Sequence, residues 1–126
     1  IFEYQNLDQN GFSIVEYVWI GGSGSDLRSK SKTVKGEITS IDQLDEWNYD
    51  GSSTKQATTE NSEVLMRPVA LFDDPFRGKP NKIVLCDTYH VSGKPTNTNF
   101  RVFSKTIFDA DKGVHKPWFG IEQEYT

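Results

Sequence analysis

A single cysteine, no surplus of base and no long apolar run set the outer limits of what this chain can be. Cys86 has no partner for an internal disulfide, which points to a reducing compartment. Lys and Arg number 14 against 18 Asp and Glu, a net charge of −4, so the cationic excess that a nucleic-acid binder needs is missing. No apolar stretch approaches the ~20 residues that span a bilayer. No signal-peptide pattern and no Asn-x-Ser/Thr sequon occur. The expectation is a cytoplasmic, soluble protein with neither nucleic acid nor membrane as partner. What is present is a globular composition, 25% charged and 13% aromatic. Its 126 residues allow one ordinary domain, or a small one plus the start of another. Ile1 is not an initiator methionine, and Thr126 falls in a stretch that reads as a strand, so a piece of a longer chain is expected.

Ile1, Tyr4 and Leu7 fall at near-helical spacing, and Asp8 to Gly11 reads as a turn. Val15 to Ile20 is β-branched and aromatic, a strand; Gly21 to Ser25 breaks it and Leu27 to Val34 returns as its hairpin partner. Alternation puts Arg28, Lys30 and Lys32 on one face, the pattern of a solvated face or a blunted edge strand. Ser40 to Gln43 has capping-box spacing, and Ile41, Leu44 and Trp47 then predict a short helix. Lys55 to Ser62 is a polar surface loop. Val64 to Phe72 is a strand in which Pro68 demands an edge or an irregularity. A loop with two prolines follows, then a strand from Lys82 to Tyr89. The order ββαββ predicts an α+β domain, a curled sheet over a helix. Ser92 to Thr96 marks a composition shift, placed as a domain boundary. Asn99 is the N-cap of a helix to about Lys112, with Phe100, Phe103 and Ile107 on its apolar face.

Two stretches carry chemistry. In Trp47-Asn48-Tyr49-Asp50-Gly51-Ser52-Ser53-Thr54 an acid heads a Gly-Ser-Ser turn directly after aromatic residues. Alone this is an ordinary surface turn, but such a turn can also hold one carboxylate rigidly against something it binds. In Trp118 to Thr126, read as a strand, Glu122 and Glu124 share one face, roughly 6–7 Å apart along the backbone. Carboxylates that close repel unless a cation sits beside them, and their hard oxygens suit Mg²⁺ or Mn²⁺.

Pro117-Trp118 with Gly120-Ile121-Glu122-Gln123-Glu124-Tyr125-Thr126, and Glu46-Trp47-Asn48-Tyr49-Asp50-Gly51-Ser52-Ser53-Thr54, closely resemble the signatures of eukaryotic-type glutamine synthetase. Tyr17-Val18-Trp19-Ile20, Leu27-Arg28-Ser29-Lys30, Asp74-Pro75-Phe76-Arg77 and Thr98-Asn99-Phe100-Arg101 match it too, in the family's order. Each is weak alone; together they span nearly the whole chain, which corresponds to the N-terminal part of the family's length. Gly21-Gly22 departs from the pattern, standing where relatives often carry an acid.

The resemblance implies an N-terminal segment (1–11), a β-grasp domain (12–93) and the truncated start of the catalytic domain (94–126). It implies an ATP-dependent ligase that joins glutamate and ammonium through γ-glutamyl phosphate, with Mg²⁺ or Mn²⁺ as cofactor. By position Asp50 and Ser53 belong to the ammonium pocket, Glu122 and Glu124 to the metal site, and Glu122 also lies near the ATP phosphates. The family's Asp50-type loop reaches into the adjacent subunit, so a homo-oligomer of two pentameric rings is implied. The alternatives are a free-standing β-grasp binding module with partner-facing edge strands, or an assembly module kept for ring building.

Overall fold

The computed structural model describes residues 7–126; the helical spacing of Ile1 and Tyr4 lies outside them. Five strands form one sheet: β1 (Phe12–Ile20), β2 (Leu27–Lys35), β3 (Trp47–Asp50), β4 (Glu63–Asp73) and β5 (Lys82–His90). Their spatial order is β2-β1-β5-β4-β3. β1 and β5 run parallel and every other neighbouring pair is antiparallel. Two hairpins therefore meet along a parallel seam, and the connection between them, residues 36–46, crosses one face of the sheet.

That connection differs from the expected helix. The capping box forms, with Ser40 accepting from the Asp42 N–H and Gln43 reaching back to the Ser40 N–H, but the helix is a single 3-10 turn, Ile41–Gln43. Trp47, expected on its apolar side, opens β3 instead. The reason is tertiary: Trp47 packs edge-on against Tyr17 at 5.3 Å, and Tyr49 stacks on Trp19 at 4.4 Å. A period-2 aromatic pair facing two aromatics of β1 is worth more than continuing a short helix. Ile38 and Leu44 come down from the connection to complete a core with Val15, Tyr17, Trp19, Met66, Val84 and Cys86. Tyr17 is fully buried; its hydroxyl donates to the Asp45 carbonyl at 3.1 Å, and burial pushes its pKa up to about 12.

β2 is an edge strand, as expected, but its lysines do not form a solvated face. Lys30 and Lys32 lie on the core side and cap the aromatics. The Lys30 ammonium sits 3.6 Å from the centre of the Trp47 ring, and that of Lys32 is 5.0 Å from the Tyr17 ring. In β4 the register shifts between Pro68 and Ala70. Proline is accommodated there because β3 pairs only with Glu63 to Met66, leaving the rest of that β4 edge open. In the loop before β5, buried Asp74 accepts from the backbone N–H groups of Phe76 and Arg77 and pairs with the Arg77 guanidinium at 2.8 Å.

Beyond β5 the chain stays attached to the sheet. Thr96 is buried, its N–H donating to the Thr88 carbonyl at 3.1 Å, and Asn99 donates to the same carbonyl at 3.0 Å. Asn99 also caps the one α-helix among the described residues, α1 (Phe100–Asp111), which ends where Lys112 enters the left-handed region at φ 50°. Phe103 and Ile107 on its apolar face are 54% and 71% exposed. The strand expected over 118–126 is not formed. A strand needs a neighbour for its backbone hydrogen bonds, and none of the five strands lies beside this segment. Phe119 makes one edge-on contact with Phe108, at 6.1 Å.

Candidate functional site: the Asp50 turn

β3 ends at Asp50, and the chain turns at once. The Gly51 N–H donates to the Ser62 carbonyl at 2.6 Å, while the Gly51 carbonyl accepts from the N–H groups of Gln56 (2.8 Å) and Ala57 (3.1 Å). A side chain at position 51 would collide with the Val64 methyl, so only glycine lets the turn fold back this tightly over β4.

The Asp50 side chain points outward. One carboxylate oxygen accepts from the Ser52 hydroxyl at 2.6 Å and from the Ser52 N–H at 2.9 Å. These donors favour the ionised form, the Ser52 hydroxyl foremost, and hold the carboxyl below the usual aspartate range. The second oxygen has no partner among the described residues. Ser53 adds rigidity from behind, its hydroxyl donating to the Asp50 carbonyl at 2.9 Å. The result is a fixed, exposed anion with one oxygen committed and one free. It borders an open cavity of about 350 Å³ lined by Lys30, Asn48, Tyr49, Asp50, Ser62 and Glu63.

Neighbours that sequence reasoning left out hold the turn in place. The loop after it, Lys55 to Ser62, read as a plain polar surface loop, contains Gln56, whose side chain is partly buried and makes four hydrogen bonds. A buried glutamine has no signature in sequence; its position beside a Gly-Ser-Ser turn was the only hint. Gly22 is the other. A Cβ there would run into the Thr54 backbone carbonyl, so glycine at this position is what allows the β1–β2 turn and the Asp50 turn to touch.

Glu122 and Glu124 lie elsewhere. Both are exposed, in a segment without regular structure, and neither has a cationic partner among the described residues. No hydrogen bond or ion pair joins this segment to the Asp50 turn. Among the described residues no three of His, Cys, Asp and Glu converge as a metal shell. The donors fit a hard divalent cation in kind, being carboxylates, but two carboxylates by themselves do not make a metal shell. Asp50 and Ser53 are thus brought together; Glu122 and Glu124 lie apart from them, in an exposed segment without regular structure.

Comparison with known proteins gives the arrangement its context. No protein-family model matches the chain. The cytosolic isozyme 1-2 of glutamine synthetase from Oryza sativa subsp. japonica is 56% identical over 114 residues, covering 90% of this chain and 32% of that protein. The chloroplastic glutamine synthetase of Brassica napus is 54% identical over 126 residues, covering 96% and 29%. The chain therefore spans about a third of the length of the curated relatives it matches. In structure, the cryoEM glutamine synthetase of Plasmodium falciparum aligns with a TM-score of 0.50 at 17% identity, over 90% of this chain and 22% of that one. At that identity the likeness speaks for the fold, which it identifies as the mixed α+β, β-grasp type. Over the stretch it spans, the chain is similar to plant glutamine synthetases.

Proposed function

We propose that this chain forms the first part of an ATP-dependent ligase that joins L-glutamate and ammonia into L-glutamine through γ-glutamyl phosphate. The observation that carries the reading is the Asp50 turn: an ionised, outward-facing carboxylate held rigid by Ser52 and Ser53 in a chain 56% identical to a plant glutamine synthetase. The side-chain carboxylate of glutamate is a poor acyl donor, so its oxygen is first phosphorylated by ATP. Asp50 then attracts ammonium as a cation and accepts one of its protons. The nitrogen lone pair attacks the carboxyl carbon of the acyl phosphate. The C–O bond to phosphate breaks with its electrons leaving on inorganic phosphate, and the nitrogen sheds its extra proton to give the amide. Holding Asp50 ionised serves the first half of that task, because the anion is ready before the cation arrives. Ser53 acts by fixing the backbone behind it.

Glu122 and Glu124 are the residues that would hold Mg²⁺ or Mn²⁺, together with ligands from beyond this stretch. A divalent ion held by these carboxylates would neutralise charge on the transferring phosphoryl group. Glu122 would also lie near the ATP phosphates. The boundary near residues 92–96 divides a β-grasp domain (12–93) from the start of a catalytic domain (94–126). An outward-facing Asp50 is suited to completing a pocket on a neighbouring subunit, and a homo-oligomer of two five-membered rings follows from this reading. The relatives' names include cytosolic, chloroplastic and mitochondrial proteins, and the cytosol expected from the lone cysteine is among those compartments.

The test uses the full-length protein with glutamate, ammonium, ATP and Mg²⁺ or Mn²⁺. Glutamine is the expected product, and Asp50→Ala is expected to impair ammonium use more than phosphorylation of glutamate. Equal loss of both steps contradicts the role of Asp50. Absence of glutamine formation overturns the ligase reading and leaves the binding or assembly module.

A further inference from the structure

The side chain of Gln56 uses its full hydrogen-bonding capacity. Its amide donates to the Ile20 carbonyl at 3.0 Å and to the Thr98 hydroxyl at 2.8 Å. Its carbonyl accepts from the Tyr49 hydroxyl at 2.7 Å and the Thr54 hydroxyl at 2.8 Å. Two donors and two acceptor sites exhaust what a glutamine offers. The orientation is determined too. Three of the partners are hydroxyls that could reverse their roles, but the Ile20 carbonyl can only accept, so a flipped amide would set oxygen against oxygen. The same residue closes the Asp50 turn through its backbone, its N–H donating to the Gly51 carbonyl.

These four partners belong to parts of the chain that sequence keeps apart. Tyr49 precedes Asp50 in β3, and Thr54 closes the turn after it. Ile20 ends β1. Thr98 lies in the segment that leaves the sheet, one residue before the Asn99 cap of α1. That segment is itself anchored: Asn99 donates to the Thr88 carbonyl, and the buried Thr96 hydroxyl contacts that of Thr88 at 2.5 Å. Gln56 is the one described side chain that hydrogen-bonds both to the Asp50 turn and to the segment leading into α1.

We infer that Gln56 is a positioning residue: bridging Tyr49 and Thr54 to Thr98, it sets the Asp50 turn relative to the segment entering the second domain. The inference rests on the ligase reading above. Its physical basis is that a reacting group misplaced by about 1 Å can lose up to about 100-fold in rate even when the chemistry is untouched. A fully paired, partly buried amide resists such drift better than packing alone, since any shift leaves donors or acceptors unpaired.

The experiment measures, in the full-length enzyme, KM and kcat for ammonium and, separately, the ammonium-independent phosphorylation of glutamate. Gln56→Leu removes all four bonds at similar volume. Thr98→Val removes one and leaves Gln56 otherwise held, so it folds even if the first variant does not. Thr98→Ser keeps the hydroxyl. The expected result is a rise in ammonium KM of about tenfold for Gln56→Leu and about threefold for Thr98→Val, glutamate phosphorylation within about twofold of the parent in both, and near-parental behaviour for Thr98→Ser. Unchanged ammonium KM in Thr98→Val, or equal loss of both steps in either variant, overturns the positioning role while the ligase reading stands. A parent enzyme that makes no glutamine overturns both.

Discussion

The ammonium group of Lys30 donates to the backbone carbonyl of Asn48 at 2.9 Å, although these residues lie on the two opposite edge strands of the sheet. The sheet has curled so far that β2 and β3 face each other across the core, and one lysine spans the gap. The same ammonium lies over the Trp47 ring. Burial and nearby Lys32 both pull the Lys30 pKa down, so the bond and the ring contact compensate a group held partly away from water. This contact protects an edge that would otherwise offer free carbonyls for pairing, and it steadies the strand that ends in Asp50.

Replacing Lys30 by methionine keeps the stem and removes the charge. A loss of roughly 1–2 kcal/mol in unfolding free energy is expected, from one charge-assisted hydrogen bond and one partly shielded cation–π contact. Hydrogen exchange supplies the sharper readout: the amides of Trp47 to Asp50 should exchange faster while those of β1 and β5 stay protected. Uniform change across the sheet would show that Lys30 does not act on β3 in particular.

The pH response of Asp50 follows from Ser52. In the folded protein the carboxyl is held below the usual aspartate range, chiefly by the Ser52 hydroxyl. A depressed folded-state pKa contributes stability above the unfolded aspartate value, and that contribution disappears as pH falls through the lower folded value. Ser52→Ala removes the principal cause, so the Asp50 carboxyl should titrate at higher pH. Carboxyl-carbon NMR of the full-length protein labelled at aspartate measures this directly. A titration midpoint unmoved by Ser52→Ala would assign the depression to another group.

Gly22 makes a third test, because its role is steric. A methyl group at this position meets the Thr54 backbone carbonyl, which cannot swing aside as a side chain could. Gly22→Ala should cost about 1–3 kcal/mol through forced backbone displacement. It should also move the Asp50 turn and, under the proposed ligase function, raise the ammonium KM of the full-length protein. Parental stability and KM together would mean that the two turns separate without consequence.

Some of this was legible from residue order. β1, β2, β4 and β5 follow from β-branched and aromatic alternation bounded by glycine and proline, and α1 from its Asn99 cap and apolar spacing. These signals are local, carried by neighbours a few positions apart. The acid of the Asp50 turn was legible in the same way, because an aspartate before Gly-Ser-Ser bonds to its own turn.

Other features depend on partners dozens of positions away. Trp47 became a strand residue because Tyr17 lies 30 positions earlier; Lys30 reached Asn48 because the sheet curls; Gln56 found Thr98 through a segment that returns to β5. None of these pairings leaves a pattern in the residues themselves. The strand expected at Glu122 and Glu124 makes the same point in reverse. Its alternation is correct, but alternation only says which side chains would share a face once a neighbouring strand is there. Amino-acid order by itself determined the four long strands, the capped helix and the acids on offer. Tertiary structure alone decided which of them meet, because long-range hydrogen bonds and aromatic contacts form only after the chain has closed on itself.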